Sequence, residues 1–227
     1  MPIEERKFPS RAAAVYALAD DLASTLREAI TTRGRGLLAV SGGSTPHQVF
    51  ARLHQLKVAW EYVTLTLTDE RWVPRSHPES NEKLVRTHLL KGTALNAKFI
   101  PLFGGEDSPQ VGHSACEGRL NSLPLPFDAV YLGMGVDGHF ASLFPGDSAI
   151  EVNGCCCVAI PATETRLARM SLTASVILDA KKIFLLFCGS DKYATYLEAK
   201  KEGPLKELPL RFLFSQAQTP VHVLWAL

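Results

Sequence analysis

Short apolar runs that are typical of buried strands alternate with helical stretches along the chain. Strands are predicted at 36–40, 63–68, 127–133, 169–173, 182–188 and 221–227, and helices at 10–33, 46–56, 81–90, 109–123, 174–180 and 191–201. A helix between two strands returns the chain to the starting edge of the sheet, so this alternation favours parallel strands. The sequence therefore predicts an α/β fold with a largely parallel sheet.

Length and charge restrict the possible functions. The 227 residues show no linker and no repeat, which predicts a single domain over residues 1–227. The 24 Lys and Arg nearly balance the 23 Asp and Glu, which argues against nucleic-acid binding through a general positive field. No apolar run approaches the roughly 20 residues that span a bilayer, and no apolar signal segment follows Met1. We expect a cytoplasmic protein without nucleic-acid or membrane partners.

The cysteines and histidines lack the spacings of common metal sites. Residues 155–157 are three consecutive cysteines, whereas Cys116 and Cys188 are isolated. This arrangement suits neither a disulfide framework nor the C-x-x-C spacing of zinc sites. The six histidines other than His139 are scattered and show no H-E-x-x-H spacing. We therefore expect reduced thiols and no bound metal.

Ligands of open α/β sheets bind beyond the carboxyl ends of the strands, and the segment SGGSTP at 41–46 follows the first strong strand. Its glycines permit close backbone approach, Thr45 can cap the next helix, and Pro46 suits the first helical turn. Exposed amides at such a helix start bind anions. Candidate phosphate ligands are Ser41, Gly42, Gly43 and Ser44. The alternatives are a plain turn, or a G-x-S-x-G nucleophile elbow at Ser44, which Pro46 in place of the second glycine disfavours.

Three other strand ends carry polar residues. Asp69 and Arg71 follow the strand at 63–68, either as a surface turn or as ligands for sugar hydroxyls and an anion. Asn81 at the next helix start is a further candidate. Arg169 and Lys192 either complete a phosphate site or are solvated charges.

The segment GMGVDGH at 133–139 is the densest feature of the sequence. Its three glycines allow the backbone to fold sharply beside a ligand. His139 lies two residues after Asp137, and an imidazole beside a carboxylate is suited to general-base chemistry near neutral pH. The loop also contains Gly135, a candidate substrate ligand, and either a loop amide near Gly135–Gly138 or a nearby cation could stabilise an oxyanion. The alternative is a loop histidine without a catalytic role.

Together, SGGSTP at 41–46, DERWVP at 69–74 and GMGVDGHFASLFPG at 133–146 resemble the glucosamine-6-phosphate deaminase/6-phosphogluconolactonase family, and its lactonase branch most. The resemblance runs from about residue 10 to 227. It implies a Rossmann-like sheet with helices on both faces, a fold shared with ribose-5-phosphate isomerase. It also implies hydrolysis of 6-phospho-D-glucono-1,5-lactone in the oxidative pentose phosphate pathway, without metal or organic cofactor. We further expect a monomer or a weak homodimer.

Within this resemblance, we expect His139 to activate water and Asp137 to orient the imidazole. The deaminase branch is the first alternative, but Arg71 replaces its tyrosine and 142–145 lack its glutamate. A non-catalytic sugar-phosphate sensor is the second, although the chain leaves no segment for DNA binding. Phe140 departs from the small residue typical of the family, so it either narrows the site or packs beneath it.

Overall fold

The computed structural model describes residues 3–43 and 45–227. Its strands are β1 (Ile3–Lys7), β2 (Gly36–Val40), β3 (Val63–Leu67), β4 (Asp69–Arg71), β5 (Lys98–Phe99), β6 (Ala129–Leu132), β7 (Cys157–Ile160), β8 (Arg169–Leu172), β9 (Ile183–Cys188) and β10 (Val221–Ala226). Its helices are α1 (Arg11–Arg33), α2 (Pro46–Leu53), α3 (Asn81–His88), α4 (Pro109–Asn121), α5 (Ala174–Leu178) and α6 (Ser190–Ala199). None of these helices is long and apolar enough to cross a membrane.

The main sheet has the strand order β1-β10-β9-β6-β2-β3-β5. Every neighbouring pair in it is parallel. All residues of β2 and β6 are buried. Because successive side chains point to opposite faces, complete burial means that both faces of the central strands are covered. The predicted α/β class with a parallel sheet is confirmed.

Local sequence signals explain several helix ends. The Ser10 hydroxyl accepts a hydrogen bond from Ala13 N at 3.2 Å and caps the start of α1. The helix ends at Arg33 and is followed by Gly34 with φ of 72°. The Ser80 hydroxyl likewise accepts from Lys83 N at 3.1 Å and caps α3. Glycine tolerates this left-handed conformation, and serine satisfies an amide that the helix leaves free. Both helices therefore begin and end close to their predicted bounds.

Other boundaries differ from the sequence-based prediction. Helix α2 ends at Leu53, three residues before the predicted end at 56. Thr45 precedes α2, but its side chain forms no capping hydrogen bond and its backbone is already helical. Pro46 occupies the first turn as expected.

A second, antiparallel sheet has the order β4-β8-β7. The segment that was considered as a surface turn is its strand β4, which places Asp69 opposite Ser171 and Arg71 opposite Arg169. Glu70 is buried between these two residues. The small sheet therefore brings Asp69 and Arg169, which are 100 positions apart in sequence, together beyond the carboxyl end of β3.

The chain reverses its direction of travel across the main sheet between β2 and β6. From β2 it continues to β3 on one side, and it later returns to β6 on the other side. Ser41 N, just beyond β2, donates to the Tyr131 carbonyl of β6 at 3.1 Å. Such a switch point leaves a crevice beyond the carboxyl ends of the two strands.

Candidate active site

A cleft of about 280 Å³ lies at this switch point. The predicted residues that line it are Ser41, Gly42, Gly43, Asp69, Arg71, Asn81, Gly135, His139, Arg169 and Lys192. Asp137 contacts His139 from outside the lining. Ser44 lies outside the described residues, so its role stays a prediction.

His139 and Asp137 form a hydrogen-bonded pair. The distance from His139 Nδ1 to Asp137 Oδ1 is 2.6 Å, and the same oxygen accepts from His139 N at 3.2 Å. The hydrogen bond from His139 is the largest cause that lowers the pKa of Asp137 below its usual value. Asp137 engages Nδ1, while Nε2 has no hydrogen-bond partner among the described residues. This arrangement leaves Nε2 available to accept a proton.

The loop beneath this pair requires glycine at position 135. A Cβ there would lie 2.2 Å from Asp137 Oδ1 and 2.3 Å from His139 Nδ1. The Gly135 amide donates to the His139 carbonyl at 2.9 Å, so this amide is engaged within the loop, and the identity of the oxyanion partner among the amides of 135–138 and the nearby cations stays a prediction. Gly135 instead provides the space in which the pair lies.

The ring of Phe144 packs against His139, with ring centroids 4.4 Å apart. The guanidinium groups of Arg166 and Arg169 lie 4.0 and 5.4 Å from the centre of the same ring. Arg166 is also paired with Asp147 at 2.7 Å. Phe144 thus fixes one side of the imidazole and joins it to a cationic wall formed by Arg166 and Arg169.

Asp69 is almost completely buried and is bonded within the protein. Its Oδ2 accepts from the Ser142 hydroxyl at 2.6 Å and lies 3.4 Å from Arg169 Nη1. Ser142 is fully buried and was missed from the sequence. These contacts support a role of Asp69 in positioning Arg169, whereas its predicted binding of sugar hydroxyls remains untested.

Arg71 and Arg169 face each other across β4 and β8. Arg71 Nη1 donates to the Glu79 carbonyl. The Nε atoms of both arginines are buried and lack a hydrogen-bond partner among the described residues. Burial is the largest cause that lowers the pKa of Arg169, although Asp69 opposes it. Two adjacent guanidinium groups with unused donors favour an anionic ligand.

Asn81 is held in place by Glu70, which the sequence analysis did not single out. The Glu70 carboxylate accepts from the backbone of Arg71, Asn81 and Glu82 at 2.7–2.8 Å. Burial raises the pKa of Glu70 to about 7, although the hydrogen bonds from these donors act to lower it. Asn81 lies so close to Gly42 that a Cβ at position 42 would be 1.8 Å from Asn81 Oδ1. Glycine at 42 therefore permits the contact between the loop after β2 and helix α3.

Three further residues complete the cleft. Lys192 lies in the first turn of α6 and forms no ion pair with any described residue. Tyr131 lines the floor; its hydroxyl is buried without a partner in the described chain, and burial raises its pKa. Ala141 lines the cleft with φ of 49°, a conformation that is unusual for alanine. The sequence analysis missed both residues as part of the site. It predicted Tyr131 only as part of a strand, and nothing in the sequence around Ala141 indicates a positive φ.

Phe140 resolves one of the alternatives that the sequence left open. Its side chain is fully buried in the hydrophobic core and does not line the cleft. The ring therefore packs beneath the site and does not narrow it.

Comparison of the amino-acid sequence with known proteins identifies its family. The profile of the glucosamine-6-phosphate isomerases/6-phosphogluconolactonase family matches residues 9–225. The chain belongs to this family. It is 38% identical over 224 residues to a Rhizobium meliloti (strain 1021) protein named 6-phosphogluconolactonase, covering 96% of this chain and 97% of that relative. Its identity to the Mesorhizobium japonicum protein of the same name is 40% over 224 residues, covering 96% and 93%.

A solved structure is similar over the same length. A 6-phosphogluconolactonase from Shewanella baltica OS155 has a TM-score of 0.96 with 38% sequence identity, covering 100% of this chain and 98% of that one. The resemblance that was predicted from the three motifs is confirmed, and so is the fold class. Within the family, these three relatives all carry the name of the lactone hydrolase.

Proposed function

We propose that this protein hydrolyses 6-phospho-D-glucono-1,5-lactone to 6-phospho-D-gluconate, a step of the oxidative pentose phosphate pathway. The observation that carries the proposal is the His139–Asp137 pair in a cleft that also presents two adjacent arginines. The pair supplies a base, and the arginines supply a site for the phosphate. Near-full-length similarity to proteins named 6-phosphogluconolactonase supports the same activity.

His139 acts as the general base in this proposal. Its Nε2 takes a proton from a water molecule as the water oxygen bonds to the lactone carbonyl carbon C1. The bond between C1 and the ring oxygen then breaks, and His139 returns the proton to that oxygen. Asp137 holds Nδ1–H, which fixes the ring orientation and favours the charged imidazolium.

The phosphate anchors the substrate away from the reacting carbon. Ser41, Gly42, Gly43 and Ser44 are the proposed ligands in the loop after β2. Arg71, Arg169 and Lys192 add charge-assisted bonds, and Asn81 and Asp69 face the sugar. Binding the remote phosphate holds C1 near His139, and this orientation lowers the barrier. Because the Gly135 amide is engaged within the loop, another amide of residues 135–138 or a nearby cation is the proposed partner of the developing oxyanion.

The aromatic contact of His139 disfavours deaminase chemistry, the other activity in the family name. Residues 142–145 contain no carboxylate, and the ring of Phe144 occupies the face of His139 at 4.4 Å. A proton relay through a glutamate is therefore absent from this described segment. The proposed lactone reaction does not need such a relay.

We also propose one domain over residues 1–227, a cytoplasmic location, and a monomer or weak homodimer. A single hydrophobic cluster includes Leu38 of the main sheet and Met170 of the small sheet, which supports the single domain. Size-exclusion chromatography with light scattering tests the oligomeric state.

The activity is tested by generating the lactone in place with glucose-6-phosphate dehydrogenase and following its decay by NMR. The spontaneous rate is measured without the protein and subtracted. We expect a large acceleration, with no ammonia released from glucosamine 6-phosphate in a parallel reaction. Ammonia release would assign the deaminase activity. Thermal stabilisation by 6-phosphogluconate without lactone turnover would assign a sensor.

A further inference from the structure

A second cluster of reactive side chains lies between α4 and β7, on elements that contribute no residue to the cleft. Helix α4 carries His113, Cys116 and Glu117, and the cysteines at 155–157 lead into the facing strand β7. The sequence predicted no metal here because the cysteines are consecutive and the histidines are scattered. The fold, however, joins residues about 40 positions apart.

Three of these side chains converge as metal ligands do. One potential ligand atom each from His113, Glu117 and Cys155 lies within 4.8 Å of the other two. Ligands bound to Zn²⁺ at 2.0–2.3 Å in tetrahedral geometry are roughly 3.5 Å apart. The three atoms would therefore need to close by at most roughly 1 Å, a small adjustment of the side-chain torsions.

Hydrogen bonds hold the group in this arrangement. The Glu117 carboxylate accepts from Cys156 N at 2.8 Å and from Cys157 N at 3.0 Å. His113 Nε2 lies 3.0 Å from the Cys157 carbonyl oxygen. Backbone partners of this kind orient ligating side chains in metal sites. His113 and Glu117 also lie four residues apart on one helix, so they project from the same face.

The group is open to solvent on one side. Glu117 and Cys155 line a groove of about 780 Å³, which is also lined by Pro126 and Gln216. Three protein ligands beside such a groove leave the fourth tetrahedral position to water or to an added small ligand.

We propose that His113, Glu117 and Cys155 form a binding site for Zn²⁺. A thiolate, an imidazole and a carboxylate match the ligand types that this ion accepts. On binding, the Cys155 thiol releases its proton to solvent and the sulfur donates an electron pair to the metal. The ion links α4 to the start of β7, so it stabilises the folded chain over the unfolded one.

Cobalt is the probe for this site because a cobalt–thiolate bond absorbs light whereas Zn²⁺ does not. Protein that has been treated with a chelator and kept reduced with a phosphine is titrated with Co²⁺. We expect one equivalent to bind with a charge-transfer band, and Zn²⁺ to displace it. Cys155→Ser removes the band, and His113→Gln weakens binding at least tenfold.

Two matched variants separate this site from others. Cys188→Ser removes a half-buried thiol outside the cluster and retains the band, and His139→Gln retains it as well. Absence of the band in the unaltered protein overturns the proposal, as does its persistence in Cys155→Ser or its loss in His139→Gln. Circular dichroism checks folding, and if Cys155→Ser does not fold, His113→Gln decides the outcome.

Discussion

Replacing Gly135 by alanine tests whether the position of the His139–Asp137 pair sets the rate. The new Cβ would lie 2.2 Å from Asp137 Oδ1, 2.3 Å from His139 Nδ1 and 2.4 Å from His139 Cε1. Nonbonded contacts are favourable at roughly 3.5 Å, so the pair is displaced by about 1 Å. The φ of Gly135 is not in the left-handed range, so alanine does not strain the backbone.

A displacement of about 1 Å in a catalytic group lowers the rate about 100-fold. We therefore expect kcat/KM for lactone hydrolysis to fall about 100-fold in Gly135→Ala, measured after subtraction of the spontaneous reaction. Gly118→Ala is the matched control, because a Cβ at Gly118 on α4 meets no atom within 4 Å apart from the backbone of its own helix. A Gly135→Ala enzyme within threefold of the unaltered rate would refute the reasoning from geometry to rate.

Three further predictions concern Arg169 in the cleft, Phe140 in the hydrophobic core, and Asp137 beside His139. Arg169→Met removes a charge-assisted bond worth about 1.5–3 kcal/mol, so kcat/KM falls roughly 10- to 150-fold; an unchanged kcat/KM in steady-state kinetics excludes Arg169 as an anchor. Phe140→Ala empties a fully buried site and lowers the free energy of unfolding by about 3–5 kcal/mol in urea titrations; a cost below about 1 kcal/mol contradicts its core position. The lowered pKa of Asp137 means that its stabilising contribution is present above its ordinary pKa of 3.8 and is lost as the pH falls through the folded-state value. The free energy of unfolding of Asp137→Asn should therefore fall less between pH 6 and pH 3 than that of the unaltered protein, and identical profiles would contradict the pairing.

The main sheet could be predicted because its central strands are continuous apolar runs. GLLAV at β2 and IFLLFC at β9 are buried along their length, so the hydrophobic pattern alone identifies them. The ends of α1 and α3 were equally predictable, because Ser10, Gly34 and Ser80 are strong capping residues.

The first strand and two strands of the small sheet, β4 and β7, could not be predicted from such patterns, whereas β8 was predicted at 169–173. Strand β1 has the sequence IEERK and lies at an edge, where charged residues are exposed. Strand β4 is Asp69–Arg71. Its carboxylates Asp69 and Glu70 are buried because Ser142, Arg169 and the start of α3 supply partners. Strand β7 begins within the run of cysteines, which has no strand signature.

The candidate site was largely accessible from the sequence because parallel strands place their carboxyl ends together. The residues that were missed act through side-chain contacts that a sequence pattern does not specify. Glu70 of β4 accepts from Asn81 N at the start of α3, the Ser142 hydroxyl donates to Asp69, and Phe144 packs on His139. No local pattern encodes these contacts, which depend on how the two sheets meet.

The catalytic role of His139 is tested most directly by His139→Gln, since glutamine keeps a polar side chain of similar length but cannot act as a base. Lactone decay is followed by NMR at equal concentrations of folded protein, with the spontaneous rate subtracted. The account predicts that the catalysed rate falls by about 10²–10⁴-fold, while the thermal shift caused by 6-phosphogluconate is retained. A His139→Gln rate within about threefold of the unaltered protein would contradict water activation by His139.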